Sequence, residues 1–381
     1  MIPVQGYVRP GFEPVRDVFQ ANFDNDEELG AGFCVIRDGE ILINLFGGWT
    51  DRKKDKTWAA DTLVPVYSTS KGVSALVLAH VIDQTDAVSY DTPMVDIWPE
   101  FGVHGKDKLT LAQVFSHQGG LCGFKDEIDP SLWLDPPEMA KAIAALEPLW
   151  SPVPDGTTGY HPSTWGYLAG EVVKRLTGRT LGTVLADEIT KTGGDDFDMI
   201  DFWIGTPASE HDRIADIQRP RALPELGDMN PAKRAAFMTK WAGPDRGGAI
   251  WREVEIPSAN GHGTAESVAR IYAAYAQKGR VGETDLMSPE TFDELTRVRA
   301  KGPDRVLPFE VEWASGVMKN SNLFFGTNPG SFGHAGWGGS AAFGDPETGI
   351  SCGYVMNRQS NHLMGDPRPK RLFDAVYDCL D

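Results

Sequence analysis

A hairpin pattern lies near each end of the chain, and this pair of hairpins is the sequence feature that most limits the fold. The segments GAGFCVIR and EILINLFGG are predicted strands joined at Asp38-Gly39, a dipeptide that favours a two-residue hairpin turn. Near the C-terminus, SAAFGD and ISCGYVMN flank a Pro-Glu-Thr-Gly turn at 346–349. Helices are predicted at 11–24 and 368–380. The two ends of the chain therefore predict one antiparallel sheet flanked by helices.

The middle of the chain carries helical rather than strand patterns. An apolar helix is predicted at 68–84, and further helices are predicted at 110–116, 136–147, 163–177 and 264–278. The length of 381 residues allows two or three domains. We therefore predict an α+β fold in which a mainly helical domain, residues 85–261, is inserted into an α/β domain made of residues 1–84 and 262–381. The active site is expected in the cleft between the two domains.

The composition is that of an acidic globular protein. Lys and Arg together number 36 and Asp and Glu 54, so the net charge is −18. Such a surface repels nucleic-acid phosphates and anionic lipid, and the sequence has no run of 18 apolar residues. We therefore expect neither a nucleic-acid nor a membrane partner, and the composition leaves the oligomeric state open.

The cysteines and histidines carry no metal-site spacing. The four cysteines, at 34, 122, 352 and 379, form no C-x-x-C pair, and no histidine belongs to an H-E-x-x-H motif. We therefore predict neither a metal nor a cofactor. The first residues, MIPVQGYVRPGFEP, contain no apolar signal segment, so a cytoplasmic protein with four free thiols is expected.

The sequence Ser68-Thr69-Ser70-Lys71 contains the first candidates for chemistry. A strand-like run, LVPVY, precedes it and an apolar helical run follows, so Ser68 is expected at a helix N-terminus with Lys71 one turn later on the same face. Burial would lower the pKa of this lysine and let it act as a base, and the Ser68 amide would face a developing oxyanion. The alternative is that Ser68 only caps the helix and Lys71 is solvated.

Two further segments carry candidate residues. Tyr160 lies on a loop, PDGTTGYHP, and a tyrosine near a cationic lysine can have its pKa lowered and transfer a proton. The sequence HAGWGGS, residues 334–340, has glycines that allow a substrate to approach an edge strand, and the Trp337 amide is a candidate second oxyanion donor. Taken singly, a packed tyrosine and a glycine-rich strand bulge explain these segments as well.

In this order and at these separations, the three elements resemble the motifs of the class C β-lactamase and penicillin-binding-protein superfamily of serine hydrolases, which combine S-x-x-K, Y-x-N and K-T-G. The chain is most similar to the family VIII carboxylesterases, whose third element is commonly W-x-G or H-x-G. The resemblance covers most of the chain and includes VYSTSKG (66–72), VFSHQGGL (114–121), GYHPSTWGYLAGEVVKRLTGR (159–179), SANGHGTAESVARIYAA (258–274) and FGHAGWGGSAAFGDPETG (332–349).

The resemblance implies a role for each candidate. Ser68 resembles the acylated nucleophile, Lys71 its proton partner, and Tyr160 the base that activates Ser68 or the deacylating water. Trp337, after Gly336, resembles the position whose amide completes the oxyanion hole with that of Ser68. Gly336 and Trp337 are also expected to contact the substrate.

Two positions depart from the superfamily pattern. Pro162 replaces the Asn of Y-x-N, and His334, expected to bind substrate, replaces the permanently charged lysine of K-T-G. A histidine is neutral for much of the time near pH 7. Both changes weaken recognition of the carboxylate of β-lactams and peptides, and both favour neutral esters.

A second serine motif is a weaker candidate. The sequence GISCG, residues 349–353, matches the G-x-S-x-G pattern of α/β-hydrolases. In those enzymes the serine lies at a sharp turn between a strand and a helix, whereas Ser351 falls inside a predicted strand of the closing hairpin.

We therefore predict a serine carboxylesterase that hydrolyses short-chain esters of small molecules through an acyl-enzyme on Ser68. Four tryptophans, Trp133, Trp150, Trp165 and Trp337, are expected to wall a small acyl pocket. The alternatives on the same fold are a β-lactamase or D,D-peptidase, a D-amino-acid amidase or aminopeptidase, and an acyltransferase. A catalytically inactive binding or scaffold protein is the alternative from another class.

Overall fold

A nine-stranded antiparallel sheet is the main feature of the computed structural model, which describes residues 4–151, 156–191, 199–222, 224–237 and 247–380. In spatial order its strands are Gln5–Val8, Glu40–Gly48, Gly30–Arg37, Ile350–Met356, Ala341–Gly344, Phe332–Ala335, Met318–Lys319, Glu310–Trp313 and Ala300–Pro303. The predicted α+β fold with an antiparallel sheet flanked by helices is confirmed.

The two ends of the chain meet at the centre of this sheet. Strand Gly30–Arg37 pairs with strand Ile350–Met356, with Arg37 opposite Ile350. The first hairpin turns at Asp38 and Gly39, whose φ angles of 50° and 83° are both positive, as a type I′ turn requires. Local turn chemistry therefore sets the register of the predicted first hairpin.

Helices cover both faces of the sheet. On one face, the helices Glu13–Asp24 and Pro367–Asp378 pack on an aromatic layer in which the Phe33 and Phe373 rings lie 6.0 Å apart. On the other face lies the helix Ala265–Ala276, so close that a Cβ at Gly353 would come within 2.5 Å of its backbone. The residues of the central strands are therefore buried on both sides.

The other elements surround this core. The α-helices of the described ranges are Glu13–Asp24, Ser70–Asp83, Met94–Ile97, Leu111–Phe115, Pro136–Ala144, Thr164–Thr177, Leu181–Val184, Pro231–Phe237, Ala249–Glu253, Ala265–Ala276, Pro289–Thr296 and Pro367–Asp378. Short strands form two smaller sheets, one of Val64–Pro65, His262–Gly263 and Phe202–Trp203 and one of Arg280–Val281 and Thr284–Asp285. None of the helices in these ranges has the length and apolar character needed to cross a bilayer.

The helix Ser70–Asp83 lies in the interior, between the sheet-bound helix Ala265–Ala276 and the helix Thr164–Thr177. Twelve of its residues are buried, as expected for a helix that is apolar all round. Among the described residues between 85 and 261, mostly short helices separated by loops are the main regular structure, and the strand Phe202–Trp203 lies among them. The domain boundaries given above stay a prediction.

Candidate active site

Ser68 lies in a tight turn that leads into the helix Ser70–Asp83, which is where the sequence predicts it. The short strand Val64–Pro65 precedes the turn. Tyr67, directly before Ser68, has a φ of 48°, a left-handed conformation that is strained for an aromatic residue. The Tyr272 hydroxyl donates to the Thr69 carbonyl at 2.7 Å and helps to hold the turn. The half-buried Ser68 side chain is thereby presented to a cavity.

Lys71 lies directly behind Ser68. Its Nζ is 3.1 Å from Ser68 Oγ, 2.6 Å from the Pro162 carbonyl oxygen and 3.1 Å from the Ser258 carbonyl oxygen. Burial lowers the pKa of the amine well below its usual value. A neutral amine has two N–H groups, which the two carbonyl oxygens accept, so its lone pair faces the Ser68 hydroxyl. This geometry suits an amine that takes a proton from Ser68.

The Tyr160 ring covers the Lys71 amine, with Nζ 4.8 Å from the ring centroid. The ring stacks on Trp313 at 5.6 Å, and the Tyr160 amide donates to Asp304 Oδ1 at 2.9 Å. Asp304 also accepts from the Trp313 indole, so one carboxylate fixes both partners of the stack. These contacts fix the position of the tyrosine, and its hydroxyl lies near the Ser68 side chain.

The expectation of a lowered tyrosine pKa is wrong. Burial raises the pKa of the Tyr160 hydroxyl, and the neighbouring Ser68 side chain only partly offsets this. The expectation assumed a cationic lysine beside the ring, but burial lowers the pKa of Lys71 and so favours its neutral form. In the resting site the tyrosine therefore keeps its proton, and the lysine is the group that gives its proton up.

His334 and Gly336 are buried and are not among the described residues that line the cavity. His334 is fully buried, its Nδ1 lies 2.9 Å from the Ala335 carbonyl oxygen, and burial lowers its pKa to about 3. A Cβ at Gly336 would lie 2.3 Å from the Val66 carbonyl oxygen, so a glycine is needed for this close approach to the Ser68 turn. The neutral state expected of His334 agrees with this environment. Substrate contact by these two residues stays a prediction.

Trp337 lies next to the Ser68 turn, as the resemblance implies. Its ring packs edge-on against Tyr67 with centroids 6.1 Å apart, and its side chain lines the same cavity as Ser68 and Tyr160. The strand Phe332–Ala335 ends just before it and so carries it to this place. The use of the Ser68 and Trp337 amides as oxyanion donors stays a prediction.

The cavity in front of Ser68 has a volume of about 150 Å³. Among the described residues, its lining contains no charged side chain and consists of Tyr67, Ser68, Tyr160, Pro162, Pro224, Leu226, Phe237, Ala259, Leu307, Trp337, Leu363 and Met364. Three of the four tryptophans expected there lie elsewhere. Trp133 and Trp165 are buried in the core of the helical region, and Trp150 packs on Gly159. Aliphatic residues distant in sequence form most of the wall instead.

Sequence reasoning missed several groups that build the site. Asp304 and Trp313 hold Tyr160 from more than 140 residues away, and no local motif marks either of them. His117 packs edge-on against the rings of Tyr160 and Trp313. Its Nδ1 accepts a hydrogen bond from the His161 amide at 3.1 Å. The segment VFSHQGGL, which contains His117, was part of the family resemblance and is the signal that was available.

Ser351 is placed far less favourably than Ser68. It lies in the central strand Ile350–Met356, is buried, and donates to the Ala269 carbonyl oxygen at 2.9 Å. Its hydroxyl therefore faces a helix and does not line the cavity. This agrees with the interpretation of Ser351 as the weaker candidate.

Comparisons with known proteins extend over nearly the whole chain. The sequence model of the family described as beta-lactamase matches residues 15–377. The esterase/beta-lactamase LipL of Mycobacterium tuberculosis (strain ATCC 25618 / H37Rv) is 31% identical over 380 residues, which are 95% of this chain and 84% of that protein. A penicillin-binding protein homologue from Caulobacter crescentus has a TM-score of 0.94 at 45% identity, covering 99% of this chain and 100% of the other. A family VIII carboxylesterase structure has a TM-score of 0.90 at 36% identity, with coverage of 99% and 100%.

Proposed function

The chain belongs to the beta-lactamase family and is a serine hydrolase of that family, and we propose that it is a carboxylesterase for short-chain, uncharged esters. The family assignment agrees with the motif resemblance. The relatives that are named as esterases support the choice of substrate class. The catalytic roles of Ser68, Lys71 and Tyr160 are part of this proposal.

The uncharged lining of the cavity is the observation that carries the proposal. A β-lactam or a peptide C-terminus brings a carboxylate that a cation must receive, and an amino-acid amide brings an ammonium that an anion must receive. Among the described lining residues there is neither a Lys or Arg nor an Asp or Glu. His334, at the position of the K-T-G lysine, is buried and neutral. A neutral ester avoids both desolvation costs.

The size of the cavity favours a small acyl group. Sites for drug-sized ligands have volumes of about 300–1,000 Å³, whereas the cavity at Ser68 has about 150 Å³. The side chains of Leu226, Phe237 and Leu307 would bury a short aliphatic chain and exclude water from the acyl group. A short acyl chain therefore matches this space better than a long, lipid-like chain.

The first half of the proposed reaction forms an acyl-enzyme. Ser68 Oγ attacks the ester carbonyl carbon, and the Ser68 proton passes to the lone pair of Lys71 Nζ. The carbonyl oxygen becomes an oxyanion beside the Ser68 and Trp337 amides. When the intermediate collapses, the bond to the alcohol oxygen breaks, and the alcohol leaves with a proton delivered from Lys71 through the Tyr160 hydroxyl.

The second half reverses these proton transfers. A water molecule enters in place of the alcohol, gives its proton to the same pair of groups, and attacks the acyl carbon. Ser68 leaves with the returned proton, and the carboxylic acid is released. In this proposal each half-reaction begins with a neutral amine and a neutral phenol, which the lowered pKa of Lys71 and the raised pKa of Tyr160 support.

A rate comparison on matched substrates tests the proposal. We would assay the wild type, Ser68→Ala and the control Ser351→Ala with p-nitrophenyl esters from acetate to decanoate. The panel also includes the p-nitrophenyl monoester of succinic acid, matched in length to the butyrate, an alanine p-nitrophenyl ester and a chromogenic cephalosporin. We expect a maximum at short neutral chains. Ser68→Ala should lose at least about a thousandfold in kcat/KM, and Ser351→Ala should stay within about twofold.

Three results would overturn parts of the proposal. Retained activity in Ser68→Ala would show that Ser68 is not the nucleophile. If the succinate ester or the cephalosporin is hydrolysed faster than the butyrate ester, the protein is an enzyme that recognises a carboxylate and not an esterase for neutral substrates. A preference for the alanine ester would indicate an aminopeptidase-like enzyme instead.

A further inference from the structure

The turn that carries Trp337, residues 336–339, is held by side chains from the C-terminal part of the chain. We propose that Arg368 is a positioning residue of the active site. Together with Glu28 and Asp366 it forms a buried ionic cluster, and this cluster keeps the Trp337 turn in the place that ester hydrolysis requires. The inference rests on the proposed function, because it assigns Arg368 a part in the same reaction.

Side-chain and backbone donors bind the carbonyl oxygens of both Trp337 and Gly338. Arg368 Nη2 donates to the Gly338 carbonyl oxygen at 2.7 Å, and the Ser360 amide donates to the same oxygen at 2.9 Å. Gln359 Nε2 donates to the Trp337 carbonyl oxygen at 2.9 Å. The two peptide groups that follow Trp337 therefore cannot rotate without breaking bonds to this segment.

The glycines of the turn are tightly packed. Gly338 and Gly339 have φ angles of 90° and 133°, which favour glycine. A Cβ at Gly339 would lie 2.5 Å from Arg368 Nη2 and 2.9 Å from Asp366 Oδ2, and one at Gly338 would lie 2.5 Å from Gln359 Cβ. Because these residues are glycines, the turn can pack directly against the ionic cluster. This close packing fixes the position of the turn.

Arg368 is itself immobilised. Its Nη1 donates to Glu28 Oε2 at 3.0 Å and to the Arg358 carbonyl oxygen at 2.9 Å, while its Nε and Nη2 both donate to Asp366, at 3.1 and 2.8 Å. The Tyr354 hydroxyl donates to the other oxygen of Glu28. A guanidinium is planar and has five N–H groups in a fixed fork, so these bonds define one orientation. A lysine at the same position cannot reproduce this fork.

Arg368 acts through Trp337 and not on the substrate. It lies at the start of the helix Pro367–Asp378 and is not among the residues that line the cavity at Ser68. If the Trp337 amide receives the oxyanion, a displacement of about 1 Å at this turn is sufficient to cost about a hundredfold in rate. The bond from Arg368 to Gly338 is therefore expected to affect the transition state more than the binding of ester.

The test compares variants that differ in this bond. Arg368→Lys keeps the charge and loses the fork, and Gln359→Met removes the donor to Trp337 without changing the ionic cluster. Arg371→Lys is the matched control, because Arg371 lies on the same helix but pairs with Glu27 at the surface. For each variant we would measure kcat and KM on the best neutral ester, the melting temperature, and the inhibition constants of two ligands of equal chain length.

The two ligands separate the transition state from the ground state. An alkylboronic acid adds to Ser68 Oγ as the Ser68 proton passes to Lys71, which leaves a tetrahedral, negatively charged boronate. An alkyl amide binds without forming a tetrahedral centre. We expect Arg368→Lys and Gln359→Met to lower kcat by at least about tenfold. These two variants should raise the inhibition constant of the boronic acid by the same factor, and they should leave KM and the inhibition constant of the amide within about twofold. The control Arg371→Lys should change neither kcat nor the inhibition constant of the boronic acid.

Two results would contradict the inference. If Arg368→Lys and Gln359→Met lower the melting temperature but leave kcat and boronic-acid inhibition unchanged, the cluster has a structural role only. If Arg368→Lys does not fold, Gln359→Met decides the question by the same criteria. Equal inhibition of the wild type and Ser68→Ala by the boronic acid would contradict the proposed function, and the positioning role would be lost with it.

Discussion

Lys71 and Arg368 are both removed from water, and their partners differ. The Lys71 amine contacts two backbone carbonyl oxygens and the Ser68 hydroxyl, and among the residues that the structure describes no carboxylate bonds to it. The Arg368 guanidinium bonds to two buried carboxylates, Glu28 and Asp366. Burial lowers the pKa of Lys71 well below its usual value. Burial acts on Arg368 in the same sense, but the two carboxylates outweigh it and hold its pKa well above the usual value.

This difference suits the two proposed roles, Lys71 as a group that exchanges protons and Arg368 as a group that holds the backbone in place. A buried amine without a counter-ion is neutral and has a lone pair for Ser68, whereas a buried guanidinium with two counter-ions stays charged. The choice of side chain matches the task, because lysine pKa values shift readily on burial and arginine stays protonated. The comparison makes four predictions, which follow in order of decreasing effect.

Making the Lys71 position permanently charged should abolish activity. Lys71→Arg places a cation that cannot accept a proton behind Ser68, so we expect kcat/KM to fall at least about a thousandfold at every pH tested up to 10. The matched control is Lys106→Arg. The Lys106 amine also donates to a backbone carbonyl and burial lowers its pKa to about 8, but it lies away from Ser68. A Lys71→Arg enzyme with near wild-type activity would show that Lys71 is not the base.

Removing the Tyr160 hydroxyl tests whether this group transfers a proton in addition to covering the Lys71 amine with its ring. Tyr160→Phe keeps the ring over Lys71 and removes the group proposed to carry the proton, so we expect kcat/KM to fall by about a hundredfold. The acidic limb of the pH–rate profile, which reports neutral Lys71, should not move. Tyr167→Phe removes a buried hydroxyl outside the site and is the control. A limb shifted by more than one pH unit would show that the hydroxyl also sets the lysine pKa.

The stability of the wild type relative to Lys71→Met should rise with pH. Because the folded-state pKa of Lys71 lies below 10.5, the unfolded chain binds more protons at pH values between the folded-state pKa and 10.5. The free energy of unfolding of the wild type, minus that of Lys71→Met, is therefore expected to increase as the pH approaches 10.5. Urea unfolding at several pH values measures this difference. A flat difference would mean that Lys71 stays charged in the folded protein.

Glu28→Gln should give the opposite slope and a smaller effect. Burial raises the pKa of Glu28 from 4.5 to about 7, although Arg368 opposes the shift. The stabilisation from the protonated acid is then fully present below pH 4.5 and is lost as the pH rises through 7. Relative to Glu28→Gln, the wild type should therefore lose stability across this window. A difference that rises with pH would show that the ion pair with Arg368 dominates.

Local features of the fold were predictable because short-range physics determines them. Asp38-Gly39 adopts the positive φ angles that its hairpin turn needs, and Ser68 precedes a helix because a strand-like run and an apolar run meet there. The helix predicted at 163–177 is found as Thr164–Thr177. In these cases the spacing of apolar residues and one or two turn residues were sufficient.

The parts that were not predicted depend on contacts between distant residues. Asp304 reaches the Tyr160 amide across 144 positions, and Glu28 reaches Arg368 across 340. Neither pair is visible in a local pattern. The tyrosine pKa was predicted in the wrong direction for the same reason, because the burial of Tyr160 raises it and this burial depends on residues distant in sequence, such as Trp313. Motifs pointed to the groups that we propose to react, and burial, which depends on tertiary packing, shifts their pKa values.

Covalent trapping of the nucleophile tests the central claim most directly. A p-nitrophenyl alkylphosphonate with a short chain transfers its phosphonyl group to an activated serine and releases p-nitrophenol. Mass spectrometry of the intact protein and of its peptides should find one phosphonyl group per chain, on the peptide that contains Ser68, and none on Ser68→Ala or, in the same time, on Lys71→Arg. Labelling of Ser351, or equal labelling of Ser68→Ala, would contradict the account.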